Sequence, residues 1–191
     1  LWDLGYAGTR IRHRLSLPLT PEENRYTNAF QFFKDSLILH EQPSQIAELD
    51  LDIPFNDHLI GESHYYENKK INKPMDFSGK NYMNLIDQHH FLIQLIFPEI
   101  SNSKSQLDLT ESDYGFILRE MSMLPRESEF PKYGEDYYDS YCKFFLYGNS
   151  KERMPDHVRI FNKVGLAYGF LLDNAYIVDL ENKIEFFLSA V

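Results

Sequence analysis

The sequence has little that would support a disulfide scaffold, a nucleic-acid surface or a membrane span. Its one cysteine, Cys142, cannot form an internal disulfide and leaves no Cys-x-x-Cys pair for zinc or redox chemistry. Lys and Arg number 19 against 29 Asp and Glu, a net charge of -10, and no basic stripe could neutralise phosphates. The longest apolar runs, such as residues 91–97, are far shorter than the roughly 20 residues of a membrane helix. We therefore expect no nucleic-acid partner and no transmembrane segment.

A metal or cofactor site is not indicated either. His89 and His90 are adjacent, so their side chains diverge on a helix, and no His-Glu-x-x-His occurs. We expect neither a metal nor an organic cofactor. What the chain does have is apolar material: 43% of its 191 residues are hydrophobic and 15% aromatic, enough for one substantial core.

The two ends of the sequence suggest a partial domain. Residues 1–4 have the pattern of a last helical turn running into Gly5, and no signal-peptide pattern precedes them. Residues 184–191 form an apolar run that stops without a turn or a polar cap. We interpret the chain as an excised piece of a longer protein, with a boundary chosen for cloning as the alternative.

Capping signals and apolar spacing predict four helices. Thr20 and Pro21 predict the start of a short helix over residues 21–34. Asn84 begins an amphipathic helix over residues 84–97, and Thr110 begins another that runs up to Pro125. A fourth, with aromatic residues at helical spacing over residues 137–145, is predicted to end with Gly148 in a left-handed cap.

Strand patterns surround and follow these helices. Residues 46–75 carry short β-like runs broken by turn residues, which predicts an inserted β-hairpin or flap within a single domain spanning residues 1–191. Residues 158–163, 175–180 and 184–191 read as three consecutive antiparallel strands, the last two joined by a tight reversal at residues 181–183. The predicted fold class is α+β, with helices packed on an antiparallel sheet.

The segment with the most chemical content is Lys163-Val164-Gly165 on the first of these strands. A strand lysine followed by one residue and a glycine resembles the Lys-Thr-Gly strand of the serine β-lactamases and penicillin-binding proteins. Further short segments, spread over about residues 5–191, also resemble bacterial serine hydrolases of this superfamily. The matching segments are residues 5–11, 21–28, 74–77, 139–141 and 159–165.

This resemblance implies an incomplete β-lactamase-like fold and an acyl-enzyme hydrolase of amides or esters. The Ser-x-x-Lys nucleophile would lie upstream of residue 1. Lys163 would supply a fixed positive charge, the N–H of Leu166 would face the developing oxyanion, and Gly165 would keep the strand edge open to substrate. Val164, Ala167 and Arg14 would border the substrate, which would be a small molecule, a peptide or a cell-wall fragment. The resemblance also implies a bacterial protein of the periplasm or cell envelope.

Two departures from the family pattern bear on activity. Val164 replaces a hydroxyl residue, so one hydrogen bond to a substrate carboxylate is missing. Where class A enzymes carry the glutamate that activates the deacylating water, this chain has Leu15 or Ser16. We therefore expect slow turnover of any β-lactam. The alternative function is a non-catalytic protein that keeps the fold and binds a ligand or partner through its groove or the flap, and a purely structural domain is a third.

Other candidates are assigned structural roles. Ser-x-x-Lys occurs at Ser101 and again at Ser140, about as often as chance allows, and neither serine is read as the nucleophile. The basic run of residues 10–14 fits a solvated or acid-paired loop better than a site. Tyr65 and Tyr66 would be exposed in the flap.

Overall fold

The structure, a computed structural model, describes residues 1–48, 56–100 and 106–191. The chain divides into two compact units. The small unit is Gly8–Met83, and the large unit combines Leu1–Ala7 with Asn84–Val191. The predicted α+β class is confirmed, since three helices and several short antiparallel sheets make up the described residues. Among these residues no helix is long and apolar enough to cross a membrane, and no cluster of His, Cys, Asp and Glu could hold a metal ion.

The described residues of the small unit form one helical turn and three two-stranded sheets. Helix α1 is Pro21–Asn24, capped by a reciprocal pair of hydrogen bonds between Thr20 and Glu23. Strands β1 (Phe30–Lys34) and β2 (Leu37–Gln42) form a hairpin. Strands β3 (Leu59–Ile60) and β6 (Met75–Asp76) pair around a second hairpin of β4 (His64–Tyr66) and β5 (Lys69–Ile71).

The β4–β5 hairpin lies within residues 46–75, the range in which the sequence predicts an inserted β-hairpin or flap. Its two turn residues, Glu67 and Asn68, have φ values of 47° and 62°, the left-handed geometry that tight hairpin turns require. Residues 49–55 of the predicted insertion lie outside the described part of the chain.

The helix predicted over residues 21–34 is wrong beyond residue 24. Residues 30–34 are instead the first strand of the β1–β2 hairpin, which turns at Asp35 with φ 54°. Three phenylalanines in five positions favour a strand, and this preference overrides the helical start encoded at Thr20.

The described residues of the large unit form a three-stranded antiparallel sheet, two α-helices and two short 3-10 helices. Helix α2 is Leu85–Ile96 and helix α3 is Glu111–Ser122, both within the predicted ranges. Strands β7 (Val158–Ala167), β8 (Phe170–Asp179) and β9 (Ile184–Ala190) lie in the order β7-β8-β9. The predicted reversal at residues 181–183 is confirmed, with Asp179 Oδ1 accepting from the N–H groups of Glu181 and Asn182.

The two faces of this sheet are covered differently. On one face lies the apolar core, made of Leu124, Met154, Val158, Ile160, Ala175 and Ile177. Because side chains alternate along a strand, Tyr176 projects from the opposite face, where its ring meets Phe97 and Phe187. Helix α2 packs on this second face, with His89 hydrogen-bonded to Ser189 at 2.8 Å.

The fourth predicted helix, through residues 137–145, is not formed. The backbone instead makes successive turns with N–H groups bonded three residues back, as in Lys143 N–H to Ser140 O at 3.0 Å, and Leu146 has φ 63°. Gly148 does not form the predicted left-handed cap, because its φ is not positive. A Cβ there would lie 2.4 Å from the Phe144 carbonyl oxygen, and this close approach requires glycine.

The cap of helix α3 should contribute measurably to stability. Thr110 accepts from the Asp113 N–H at 3.3 Å, and the Asp113 carboxylate accepts from the Thr110 N–H at 2.8 Å. Thr110→Ala should lower the free energy of unfolding by about 1 kcal/mol. Trp2 is the one tryptophan of the chain and belongs to the large unit, so its fluorescence in a urea titration reports the change. Thr110→Ser keeps the oxygen and should stay near wild type; equal losses in both variants would contradict the capping role.

Candidate functional site

The Lys163–Ala167 segment forms the second half of edge strand β7. The strand turns into β8 through Tyr168 and Gly169, with φ values of 54° and 87°, and Ala167 is paired with Phe170. A two-residue turn of this kind makes its flanking pair a hydrogen-bonded one. Pairs then alternate along an antiparallel ladder, so Val164 and Leu166 occupy non-hydrogen-bonded positions. Their N–H and C=O groups therefore point away from β8, toward the outer edge of β7.

Lys163 brings a positive charge to the same edge. Its side chain is exposed, and Nζ donates to the outward carbonyl of Val164 at 2.6 Å. Leu166 is 76% exposed, two residues beyond that carbonyl. Among the described residues, no strand pairs with β7 on this side. An ammonium group and a backbone N–H donor thus share one solvent-accessible strand edge.

The remaining strand residues have local roles. A Cβ on Gly165 would lie 3.0 Å from Cγ of Leu172, so the glycine also makes room for the opposing β8 side chain. Val164 is half-buried and pairs with Asp173, whereas Ala167 is exposed beside the turn. This packing reason for glycine at position 165 was not indicated by the sequence.

Arg14 belongs to the small unit. Its backbone N–H donates to Asn24 Oδ1 at 3.1 Å, and its guanidinium donates to the carbonyl of Tyr26. These bonds tie the segment before α1 to the chain that leads into β1. Leu15 is 90% exposed, and Ser16, with φ 53°, lies with it in a tight turn.

A buried polar network lies on the core face of the sheet, directly behind this strand edge. Asn162 accepts from Lys143 Nζ at 2.6 Å and donates through Nδ2 to the Asp173 carboxylate at 2.9 and 3.1 Å. Nδ2 also donates to the Cys142 carbonyl at 2.8 Å, and Lys143 Nζ donates to the Met121 carbonyl at 2.6 Å. The network therefore connects β7, β8, the end of α3 and the turns of residues 138–148.

Burial is the largest influence on the pKa values of Lys143 and Asp173 in this network. Desolvation lowers the pKa of the Lys143 ammonium to about 8, although the Asp173 carboxylate opposes the change. Desolvation also raises the pKa of the Asp173 carboxyl, against the hydrogen bonds from Asn162 and the Phe144 N–H. A lysine with this pKa could act as a base, but Lys143 is only 4% exposed and is held by two acceptors. The arrangement is suited to fixing β7, not to reaching a substrate.

Ser140 shows why its Ser-x-x-Lys tetrad is not a nucleophile motif. The side chain is 2% exposed, and its hydroxyl donates to the Ser150 carbonyl at 2.5 Å. It closes the turn segment for which the sequence predicted a helix. The Ser101 tetrad lies outside the described residues.

A second charged cluster stabilises the turns of residues 138–148. Asp139 is buried and accepts from Arg126 Nε at 3.0 Å and from the Met154 N–H at 2.9 Å. Nearby, Glu127 accepts from Arg159 at 2.8 Å. Neither cluster was identified from the sequence. The only signals were charged or polar residues at core-facing strand positions, such as Asn162 and Asp173 among apolar neighbours.

Comparison with known proteins adds no family assignment. No protein-family model, curated protein or solved structure matches the chain. The fold defines a two-unit α+β protein with an open strand edge. Any proposal about its function therefore rests on the residues of this chain.

Proposed function

We propose that the large unit is the lysine-strand part of a β-lactamase-like serine hydrolase, with the nucleophilic serine outside residues 1–191. The observation that carries the proposal is the outer edge of β7, where the exposed Lys163 ammonium and the outward N–H of Leu166 lie together. Such an enzyme needs a fixed cation for an anionic substrate group and an N–H donor for the oxyanion. The β7-β8-β9 meander presents both on a strand that the Asn162 network holds in place.

The reaction would proceed in two steps. The serine oxygen adds to an amide or ester carbonyl while its proton passes to its own base, and the oxyanion accepts from the Leu166 N–H. Collapse expels the amine or alcohol, which takes up the proton, and leaves an acyl-enzyme. Water then releases the acid. The exposed Leu15 and the turn at Ser16 offer no carboxylate for this second step, so deacylation should be slow. A bacterial periplasmic location and a small-molecule, peptide or cell-wall substrate are parts of the same proposal.

Covalent labelling of the full-length protein tests the proposal. A fluorescent penicillin and a fluorophosphonate probe should each form a stable adduct, whereas residues 1–191 alone should react with neither. Lys163→Ala should slow acylation by the penicillin at least about tenfold, since it removes the charge that orients the substrate carboxylate. Lys132→Ala, which removes an exposed lysine elsewhere in the large unit, is the matched control.

Two results would count against this function, and a third would count only against the predicted slow deacylation. The first is a full-length protein that reacts with neither probe, and the second is equally fast labelling of Lys163→Ala and Lys132→Ala. The third, hydrolysis of nitrocefin at rates typical of resistance enzymes, would contradict the predicted slow deacylation while leaving the acyl-enzyme itself intact.

A non-catalytic binding function is the second candidate. It is favoured by the β4–β5 hairpin, where Tyr65 and Tyr66 are 75% and 66% exposed, and by the absence of a hydroxyl at Val164. Under this alternative the full-length protein stays unlabelled by both probes although it is folded. The Tyr65→Ser and Tyr66→Ser variants would then lower ligand or partner affinity without changing stability.

A further inference from the structure

The small unit contains a cavity whose charge is opposite to that of the whole chain. It has a volume of about 510 Å³ and is lined by residues 11–13, 17–19, 21, 24–25, 47 and 79–80. Four basic side chains contribute to its walls: Arg12, His13, Arg25 and Lys80. Within the described part of the chain, no Asp or Glu lines it. In a protein with a net charge of -10, this is a local reversal of sign.

One basic wall is fixed by the side chain of Asn81. Its Oδ1 accepts from the backbone N–H groups of Arg12 at 2.7 Å and His13 at 3.1 Å, and its Nδ2 donates to the His13 carbonyl at 3.0 Å. These three bonds hold residues 12 and 13 against the chain next to Lys80. The cations of this wall are therefore brought together by a specific contact between segments about 70 residues apart.

A second part of the lining is held in place by the side chain of Arg25. Its Nε and Nη2 donate to the Ala47 carbonyl at 3.0 and 2.7 Å, and the Ala47 N–H donates to the Arg25 carbonyl at 2.8 Å. The bonds to the Ala47 carbonyl use Nε and Nη2, and Nη1 takes no part in them. The guanidinium is thus held in one orientation by the chain before it binds anything, which lowers the entropic cost of binding.

The rest of the lining is largely apolar. Its apolar members are Ile11, Leu17, Pro18, Leu19, Pro21 and Ala47. A lining that combines basic groups with aliphatic groups suits a ligand with an anionic head and an apolar body. The volume falls within the range of small-molecule sites, roughly 300–1,000 Å³.

We propose that this cavity binds a small organic oxyanion, a carboxylate or phosphate ester attached to a compact apolar group. The guanidinium groups of Arg12 and Arg25 and the ammonium of Lys80 bind the oxyanion, since planar guanidinium donors match carboxylate and phosphate oxygens. The apolar body packs against Leu17 and Leu19. This site is independent of the strand edge at Lys163, and either proposal can fail without the other.

Calorimetric titration of the protein with three probes tests the site. Benzoate and phenyl phosphate carry the two forms of the oxyanion on one apolar ring, and benzyl alcohol carries none. Both anions should bind in the millimolar range or tighter, with benzyl alcohol at least about tenfold weaker, a difference of about 1.4 kcal/mol. The tighter of the two anions identifies the head group.

Charge-matched variants locate the binding. Lys80→Met should weaken both anions by about tenfold. Lys69→Met removes an exposed lysine of β5 in the same unit and should leave their affinities unchanged. Arg12→Gln is a second cavity variant that keeps the proposal testable should Lys80→Met fail to fold. Equal weakening by Lys69→Met, equal binding of benzyl alcohol, or no binding of either anion at about 20 mM would each overturn the proposal.

Discussion

Replacing Asn162 with leucine is expected to destabilise the large unit by about 3–5 kcal/mol. Leucine has a similar size, so the loss comes from polar groups and not from a cavity. The Cys142 carbonyl and the Asp173 carboxylate would lose their Nδ2 donor, and the buried Lys143 ammonium would keep only the Met121 carbonyl. Each of these groups is then left in the interior with fewer partners than it needs.

The measurement is a urea titration followed by the fluorescence of Trp2, which reports the large unit. Asn149→Leu makes the same chemical change at an exposed position five residues after Phe144 and should change stability by no more than about 0.5 kcal/mol. If Asn162→Leu unfolds within about 1 kcal/mol of wild type, the network does not hold β7 in place. Lys163 and the Leu166 N–H would then share an edge that the buried polar groups do not stabilise.

Local signals were the part of the fold that the sequence predicted well. Asn84 and Thr110 begin α2 and α3, because a cap depends only on side chains within three residues of it. The three final strands were also predicted, because their β-branched and aromatic residues act over the same short range. However, β7 runs four residues beyond the predicted 158–163, and β8 begins five residues before the predicted 175–180. The specific resemblance to a β-lactamase-like fold stays a prediction.

The two wrong helices show where such reasoning fails. Residues 30–34 became a strand because a second strand, β2, was available to pair with them. Residues 137–145 have helical apolar spacing, yet the Phe144 N–H is bonded to Asp173, 29 residues away, at 3.2 Å. A long-range acceptor of this kind competes with the helical carbonyl, and nothing within the segment itself encodes it.

The candidate sites also combine features that the sequence predicts with features that depend on contacts between distant segments. Lys163, Gly165 and Leu166 could be placed on one strand from the sequence, but the outward direction of the Leu166 N–H follows from the turn at Tyr168 and Gly169. The Lys143 network and the basic cavity of the small unit depend on contacts between distant segments. The basic run of residues 10–14 was visible in the sequence, whereas the proximity of Lys80 and Arg25 was not.

Raising the pH from 8 to about 10.5 should stabilise wild type relative to Lys143→Met. Burial lowers the pKa of folded Lys143 to about 8 from its ordinary value of 10.5. Below pH 8 the ammonium is protonated in both the folded and the unfolded chain, and the full desolvation penalty is present. Between pH 8 and 10.5 the unfolded chain binds more protons than the folded one, so stability rises with pH through this window. Methionine does not titrate, so the variant lacks this rise.

The size of the effect follows from the difference between the two pKa values. Over the full window it amounts to about 3 kcal/mol, at about 1.4 kcal/mol for each pKa unit. A neutral amine still has two N–H groups for the Met121 and Asn162 acceptors, so the network survives loss of the proton. The test compares urea titrations of wild type, Lys143→Met and the exposed-lysine control Lys132→Met at pH 7, 8, 9 and 10. The quantity to follow is the free energy of unfolding of wild type minus that of Lys143→Met. If this quantity stays constant or falls as the pH rises, Lys143 is not buried as a charged group.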